Sequence, residues 1–390
     1  MEAAGGGCGG GVRPEDEAAK AAAMIEWESG WEEAAEAVAY DSCTWPPPIV
    51  AVCGPGNSGK SAFSRLLLNT LLARYKRVGY LDIDVGQPEF TPPGFVSLHV
   101  LEEQTKDLTM LYLRNPKRCF FFGDTCVKGN PKLLLTYIIG LYDYFLKEFY
   151  CLGSVDNPQK SAIPLVINTS GWVKGTGLIV LSEMLRYVSP THVIRVSTTS
   201  EGKNLPSGTF WMNEYKEDPP VNIVEIHAAR NSLRHLSAKK EAKIMRDIRL
   251  VAYFRQCLPR DFPLLCFGDL VQAFASIHPF QLPLSKLHVI DLHCQISGLD
   301  GYRFLNSTIV GLATSVSTPL SIECSTPCCI GLGLIKAIDI SADCIHLITP
   351  VSDDLLEKVD IIFRSYLAVP SCLLQVSDTL SDITDRMRNL

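Results

Sequence analysis

Residues Gly54-Pro55-Gly56-Asn57-Ser58-Gly59-Lys60-Ser61 satisfy the pattern G-x-x-x-x-G-K-[ST] in full, and no other stretch restricts the possible folds so strongly. Ile49–Cys53 ahead of it is a short apolar run that reads as a buried strand, and Ser61–Tyr75 behind it reads as a helix. Strand, glycine loop and helix in that order make a nest of backbone N–H groups around a phosphate, backed by the helix dipole. Lys60 then reaches the β- and γ-phosphates, and Ser61 offers its hydroxyl to Mg2+. An ordinary glycine-rich turn requires neither the lysine nor the flanking elements. The motif implies a bound nucleoside triphosphate, with Gly54 through Ser61 as its binding residues.

The chain up to about residue 258 supplies the sheet that such a loop needs. Val78–Ile83, Phe95–Val100, Cys119–Phe122, Ile163–Asn168 and His192–Val196 read as strands. Pro131–Phe149 and Leu178–Val188 read as helices. Apolar strands alternating with helices predict a parallel α/β sheet covered on both faces. Residues 201–235 are polar and read as loop, with Pro219-Pro220 at their centre. Ser237–Gln256 reads as a basic helix carrying Lys239, Lys240, Lys243, Arg246, Arg249 and Arg255. Beyond Pro259 the texture turns to β, in Thr308–Val316, Cys329–Ile340 and Cys344–Pro350, with little helix before Asp353. Three regions are expected: an N-terminal arm over 1–44, a P-loop α/β core over 45–258, and a small β-rich C-terminal domain over 259–390.

Charge is unevenly placed. Residues 1–43 hold ten acidic side chains against Arg13 and Lys20, which leaves 34 basic and 32 acidic residues in the remainder. The net charge of −6 therefore combines an acidic arm with a remainder near +2 and does not exclude a nucleic-acid substrate. The arm begins glycine-rich over 1–13 and then shows Met24, Trp27, Trp31, Ala34 and Val38 at helical spacing between Pro14 and Val38. Trp45-Pro46-Pro47-Pro48 ends that pattern.

Fourteen cysteines are scattered from Cys8 to Cys372 without a C-x-x-C pair, and Cys324, Cys328 and Cys329 read as buried thiols. This pattern argues against a disulfide framework or a zinc site and for a reducing compartment, cytosol or nucleus. Apolar runs fall far short of the roughly 18–20 residues that a membrane helix needs. The start Met1-Glu2-Ala3 lacks the basic and apolar regions of a secretory leader, so neither membrane nor secretion is expected.

The second strand runs into Tyr80-Leu81-Asp82-Ile83-Asp84-Val85-Gly86-Gln87. In a doubly wound sheet its carboxyl end opens onto the same crevice as the phosphate loop. Alternation puts Asp82 and Asp84 on one face. Two carboxylates there suit the holding of Mg2+ and the acceptance of a proton from an attacking hydroxyl, and either could instead cap the turn. The chain has no Asn-Lys-x-Asp guanine-reading loop, no Ser-Gly-Gly transporter signature, and little room for a second motor domain. Phosphoryl transfer to a bound hydroxyl remains. A nucleotide-binding scaffold without turnover and a kinase for a small nucleoside or metabolite are the competing readings. Intact Lys60, Ser61, Asp82 and Asp84 favour turnover, and the basic helix and Trp172 favour a polynucleotide.

Gly54–Ser61, Asp82-x-Asp84-x-Gly86-Gln87 and Thr169-Ser170-Gly171-Trp172 together resemble the polynucleotide 5′-hydroxyl kinases. That family has a branch in mRNA 3′-end and tRNA processing and a nucleolar branch in pre-rRNA processing. Gly86-Gln87-Pro88-Glu89-Phe90-Thr91-Pro92-Pro93-Gly94 is similar to the nucleolar branch, as is the run from Cys329-Ile330-Gly331-Leu332-Gly333 through Thr349-Pro350-Val351. The resemblance spans about residues 45–370. Ahead of it lies a short arm where family members usually carry a folded domain.

The resemblance implies ATP and Mg2+ as cofactors, Lys60 as a catalytic cation, and metal, base and positioning roles for Asp82, Asp84 and Gln87. It makes Thr169, Ser170, Gly171 and Trp172 the clasp on the RNA end, with the Trp172 indole as a stacking platform. An arginine-bearing lid is expected in the helix before Tyr253-Phe254, at Arg246 and Arg249. The implied substrate is a 5′-hydroxyl RNA end in pre-rRNA. The implied partner is the pre-rRNA endonuclease, and the implied location is nucleus and nucleolus.

Overall fold

A computed structural model describes residues 30–40, 46–105, 113–150, 162–212, 221–228, 238–259, 262, 267–294, 302, 304–315, 327 and 329–374. The sequence reading of a helix over 14–38 therefore lies partly outside the described residues, as do Pro219-Pro220, Cys324 and Cys328. What is described of that helix is α1, Gly30–Ala39.

The first sheet is seven-stranded, in the order β4-β3-β2-β5-β1-β6-β7. Its strands are β1 (Ile49–Cys53), β2 (Val78–Asp82), β3 (Phe95–Leu101), β4 (Arg118–Phe121), β5 (Leu165–Asn168), β6 (His192–Ser197) and β7 (Asn222–His227). β1 lies between β5 and β6, parallel to both, so every residue of IVAVC is buried. Period-2 alternation sends Ala51 and Cys53 to one face and Val50 and Val52 to the other.

Helices cover both faces. On the Val50 side lie α1 and α2 (Lys60–Arg74), whose Phe63, Leu67, Leu68 and Leu71 recur at helical spacing and are fully buried. Each such side chain contributes about 1.5–3 kcal/mol through burial. On the Ala51 side lie α3 (Pro131–Phe149) and α4 (Thr176–Val188). α3 begins where the sequence says it should: the Asn130 side chain accepts from the Leu133 N–H at 3.1 Å, and Pro131 occupies the first turn.

Two features differ from the sequence reading of this region. β3 runs antiparallel to both of its neighbours, β2 and β4, so the sheet is mostly rather than wholly parallel. Within the stretch read as loop, Asn222–His227 pairs in parallel with β6. It is an edge strand with a half-exposed outer side, and its polar residues hid the pattern.

Beyond α5 (Ala238–Phe254), a helix α6 (Phe267–Ser276) occupies a stretch read as β. The second sheet then follows with six strands in the order β8-β12-β11-β10-β13-β9. These are β8 (Phe280–Pro283), β9 (His288–Ile290), β10 (Ile309–Ala313), β11 (Cys329–Asp339), β12 (Cys344–Ile348) and β13 (Ile361–Arg364). One face of this sheet packs against Leu250 and Phe254 of α5 and Phe274 of α6, and the same cluster takes in Phe95 and Phe121 of the first sheet. The two sheets thus share a core. Among the described residues no helix is long and apolar enough to cross a membrane.

Candidate active site

A cleft of about 590 Å³ opens at the carboxyl ends of β1, β2 and β5. One wall is the loop between β1 and α2. Gly59, at φ +92°, stands before the first turn of α2 with no side-chain cap, so the helix N-terminus is open to an anion. Behind this loop the Trp31 indole fills the space where a Gly59 side chain would project, 2.7 Å from the would-be Cβ. Its Nε1 donates to the His227 carbonyl at 2.7 Å.

Lys60 is buried, and its Nζ donates to the Pro55 carbonyl at 2.8 Å, leaving two ammonium protons for a ligand. Burial pulls its pKa down, and the nearby Asp84 opposes that shift. Ser61 also lines the cleft, as do Gly56, Asn57 and Gly59. Gly54, Pro55 and Ser58 shape the loop from behind and do not line it. The Ser58 hydroxyl is buried without a partner among the described residues.

The two aspartates are not equivalent. β2 ends at Asp82, so the alternation that placed both carboxylates on one face stops before Asp84. Asp82 is fully buried and off the cleft. Its Oδ1 accepts from Asn168 Nδ2 at 3.1 Å and the Asp84 N–H at 3.2 Å, and its Oδ2 from the Glu89 N–H at 2.5 Å. Burial raises its pKa to about 7 despite these bonds. Asp84 is half-buried in the following turn and faces the cleft. Its Oδ1 accepts from the Gly86 and Gln87 N–H groups at 3.0 and 3.1 Å, leaving Oδ2 without a hydrogen bond among the described residues. Gln87 lines the cleft beside it.

The Thr169–Trp172 stretch forms the third side. Thr169 is buried, with its hydroxyl donating to the Val52 carbonyl at 2.8 Å, so it ties the clasp to β1 and does not face the cleft. Ser170 is half-buried and outside the lining. Gly171 lines the cleft, and a Cβ there would sit 2.5 Å from the Gly56 Cα. The clasp and the phosphate loop therefore touch backbone to backbone. Trp172 is half-buried on the cleft wall, with Lys128 Nζ 5.8 Å from its ring centroid.

The opposite wall is α5. Arg246 and Arg249 both line the cleft with Glu241. Arg249 is buried, and its Nε has no hydrogen-bond partner among the described residues. Burial pulls its pKa down, while Glu89, Asp82 and Asp84 hold the charge in place.

Sequence reasoning missed Arg65 and Glu89, which line the cleft and form an ion pair at 3.3 Å. Arg65 was within reach: it lies one helical turn after Ser61 and so shares its face. Glu89 had no comparable signal, because its burial depends on the turn at Asp84. Thr125 and Cys126, after β4, also line the cleft and carry no motif.

The family model described as mRNA cleavage and polyadenylation factor CLP1 P-loop matches residues 54–256, and that described as NOL9-like, C-terminal domain matches residues 275–370. Polynucleotide 5′-hydroxyl-kinase NOL9 of Arabidopsis thaliana is 43% identical over 353 residues, covering 89% of this chain and 92% of that protein. The chain belongs to the NOL9 polynucleotide 5′-hydroxyl-kinase family.

The Homo sapiens NOL9 kinase is 25% identical over 375 residues, covering 84% of this chain and 50% of its own length. The chain thus spans about half the length of the animal NOL9 relatives it matches. Among solved structures, Clp1p in a Clp1p–Pcf11p complex has the same fold, with a TM-score of 0.61 at 15% identity over 87% of this chain and 78% of that one. Membership in this NOL9 and CLP1 P-loop family implies that the chain binds a nucleotide.

Proposed function

We propose that this chain transfers the γ-phosphoryl group of ATP to the 5′-hydroxyl of RNA ends in pre-rRNA. The observation that carries the reading is one cleft that holds the phosphate loop, a carboxylate with an uncommitted oxygen, and an indole. The 5′-hydroxyl oxygen forms a bond to the γ-phosphorus as the bond to the β-phosphate oxygen breaks, and ADP leaves. Asp84 Oδ2 accepts the hydroxyl proton, as a base within the cleft must. Asp82 holds the turn that presents Asp84. Lys60, Arg246 and Arg249 neutralise the transferring phosphoryl group, and Trp172 stacks on the terminal base.

Mg2+ fits the donor set at Ser61, whose hydroxyl with the phosphate oxygens would hold it, and when bound it offsets phosphate charge. Asp82 has both oxygens engaged and lies off the cleft, so it does not suit a metal. The arm over 1–44, kinase core over 45–258 and β-rich domain over 259–390 are kept as the working division. The nucleolus is the proposed location and a pre-rRNA endonuclease the proposed partner, since its cut would leave the 5′-hydroxyl this site consumes. Co-purification of that nuclease with the intact chain tests the association, and its absence from the purified chain would remove it.

The test of activity is label transfer from γ-labelled ATP to a 5′-hydroxyl oligoribonucleotide. The parental chain should label the 5′ end, and Lys60→Ala should not. Asp84→Asn should lower turnover by about 10²–10⁴-fold with nucleotide binding retained. Parental turnover in Lys60→Ala would end the kinase reading, and rescue of Asp84→Asn by Mn2+ would make Asp84 a metal ligand instead of the base.

A further inference from the structure

A second cavity, of about 680 Å³, lies between the two sheets, where Phe95 and Cys119 of the first face Cys329 and Ile330 of the second. Arg114, Lys117 and Arg118 line it, and among the described residues no carboxylate does. The cleft, by contrast, mixes four cations with Asp84, Glu89 and Glu241. Arg114 is seated on the cavity wall: its N–H donates to the Phe90 carbonyl at 2.9 Å, and its guanidinium lies 5.7 Å from the Phe90 ring centroid. Thr91, also in the lining, is only 4% exposed, and its Oγ1 has no hydrogen-bond partner among the described residues. A buried hydroxyl is normally paired, so this one points to a ligand group.

Two elements carry the cleft into this cavity. Glu89 lines the first and Phe90, the next residue, lines the second. On α5, Arg249 lines the first, and Tyr253 and Gln256 line the second. Arg249 and Tyr253 share one helix face a single turn apart, about 6 Å along the axis. A chain leaving the cleft along that face arrives among cations and apolar side chains such as Pro92, Leu113 and Val351.

We propose that this second cavity holds the downstream nucleotides of the RNA whose 5′ end occupies the cleft, an inference that rests on the kinase reading above. Arg114 and Lys117 take backbone phosphates, Thr91 Oγ1 pairs with a phosphate or sugar oxygen, and the apolar lining receives bases. The cations act on the backbone, so the site adds affinity with length and not with sequence.

The test compares a 5′-hydroxyl dinucleotide with a dodecamer, by label transfer and by fluorescence anisotropy of the dodecamer. The Arg114→Ala/Lys117→Ala variant should raise the dodecamer KM and Kd about tenfold and reduce the salt slope of binding by about 1.4, or about 0.7 per lost phosphate contact. Its dinucleotide KM and its kcat should stay parental. Thr91→Val should raise the dodecamer KM severalfold with an unchanged or higher melting temperature, because it removes an unpaired buried hydroxyl. Equal losses on both lengths, or parental dodecamer binding with a parental salt slope, would overturn the proposal; the latter is also the result expected if an acidic peptide occupies the cavity. Absence of label transfer by the parental chain would instead fail the kinase reading, while anisotropy still decides whether RNA binds through these cations.

Discussion

The two walls of the cleft are made of different material. On the phosphate-loop side the shape is main chain: Gly59 opens the helix end, and Gly171 lies against Gly56 with no room for a methyl group. On the α5 side the shape is side chain: Glu241, Arg246 and Arg249 reach in from one helix face. The first wall is anchored in the buried parallel strands. The second stands on Leu250 and Phe254, whose packing partners belong largely to the second sheet. Position is thus fixed by backbone geometry, while charge comes from side chains on a helix seated against the second sheet. A backbone wall tolerates almost no change in shape, whereas a side-chain wall tolerates changes of shape but not of charge.

The largest expected effect is on the side-chain wall. Arg249→Ala should lower kcat by about 10³-fold or more, as for an arginine that neutralises a transferring phosphoryl group, and Arg249→Lys should recover part of it. Single-turnover rates with melting curves check this. Parental rates in a variant that only melts lower would make Arg249 a structural cation and erase the contrast. On the backbone wall, Gly171→Ala should cost about 10²-fold in turnover through misplacement of the clasp against the phosphate loop. Steady-state kinetics with nucleotide titration would show it, and parental kinetics would mean that the two loops can part freely.

Trp172→Ala, at the edge between the walls, should weaken RNA binding by about 1–3 kcal/mol, equally for all four terminal bases, and leave nucleotide affinity nearly unchanged. A drop of about 3–5 kcal/mol in stability with parental RNA affinity would assign the indole to the core.

The smallest effect is a pH dependence. Asp82, raised to about 7 by burial, keeps its proton in the folded chain where an unfolded carboxyl, at 3.8, has lost it. Its contribution to stability is therefore full below pH 3.8 and is lost as pH rises through about 7. Asp82→Asn should flatten melting temperature against pH across that window, and an unaltered slope would show that Asp82 is ionised in the fold.

The phosphate loop and the helix beginning at Pro131 were legible because their signals are local: a motif between two apolar elements, and a cap followed by proline. β7 was not, because its pairing with β6 rests on a partner thirty residues earlier in the register, and Asn222, Glu225 and His227 interrupt its three apolar residues. The reversed direction of β3 was likewise invisible, since a buried apolar run reads the same in either direction. Asp82 and Asp84 looked alike in the sequence; a turn at the end of β2 separated a buried anchor from a cleft carboxylate. Thr169 belonged to a motif, but its hydroxyl serves the Val52 carbonyl, which only the register of β1 and β5 reveals.

The seating of α5 on the second core has a thermodynamic corollary. Anything that draws Arg246 and Arg249 toward bound phosphates also loads the contacts of Leu250 and Phe254 beneath them. Coupling of this kind is reciprocal by linkage: if nucleotide favours one seat of the helix, a ligand on the second sheet that favours the same seat tightens nucleotide by the same factor. Amide protons of β10 and β11, far from any phosphate, would then exchange more slowly when the cleft is filled.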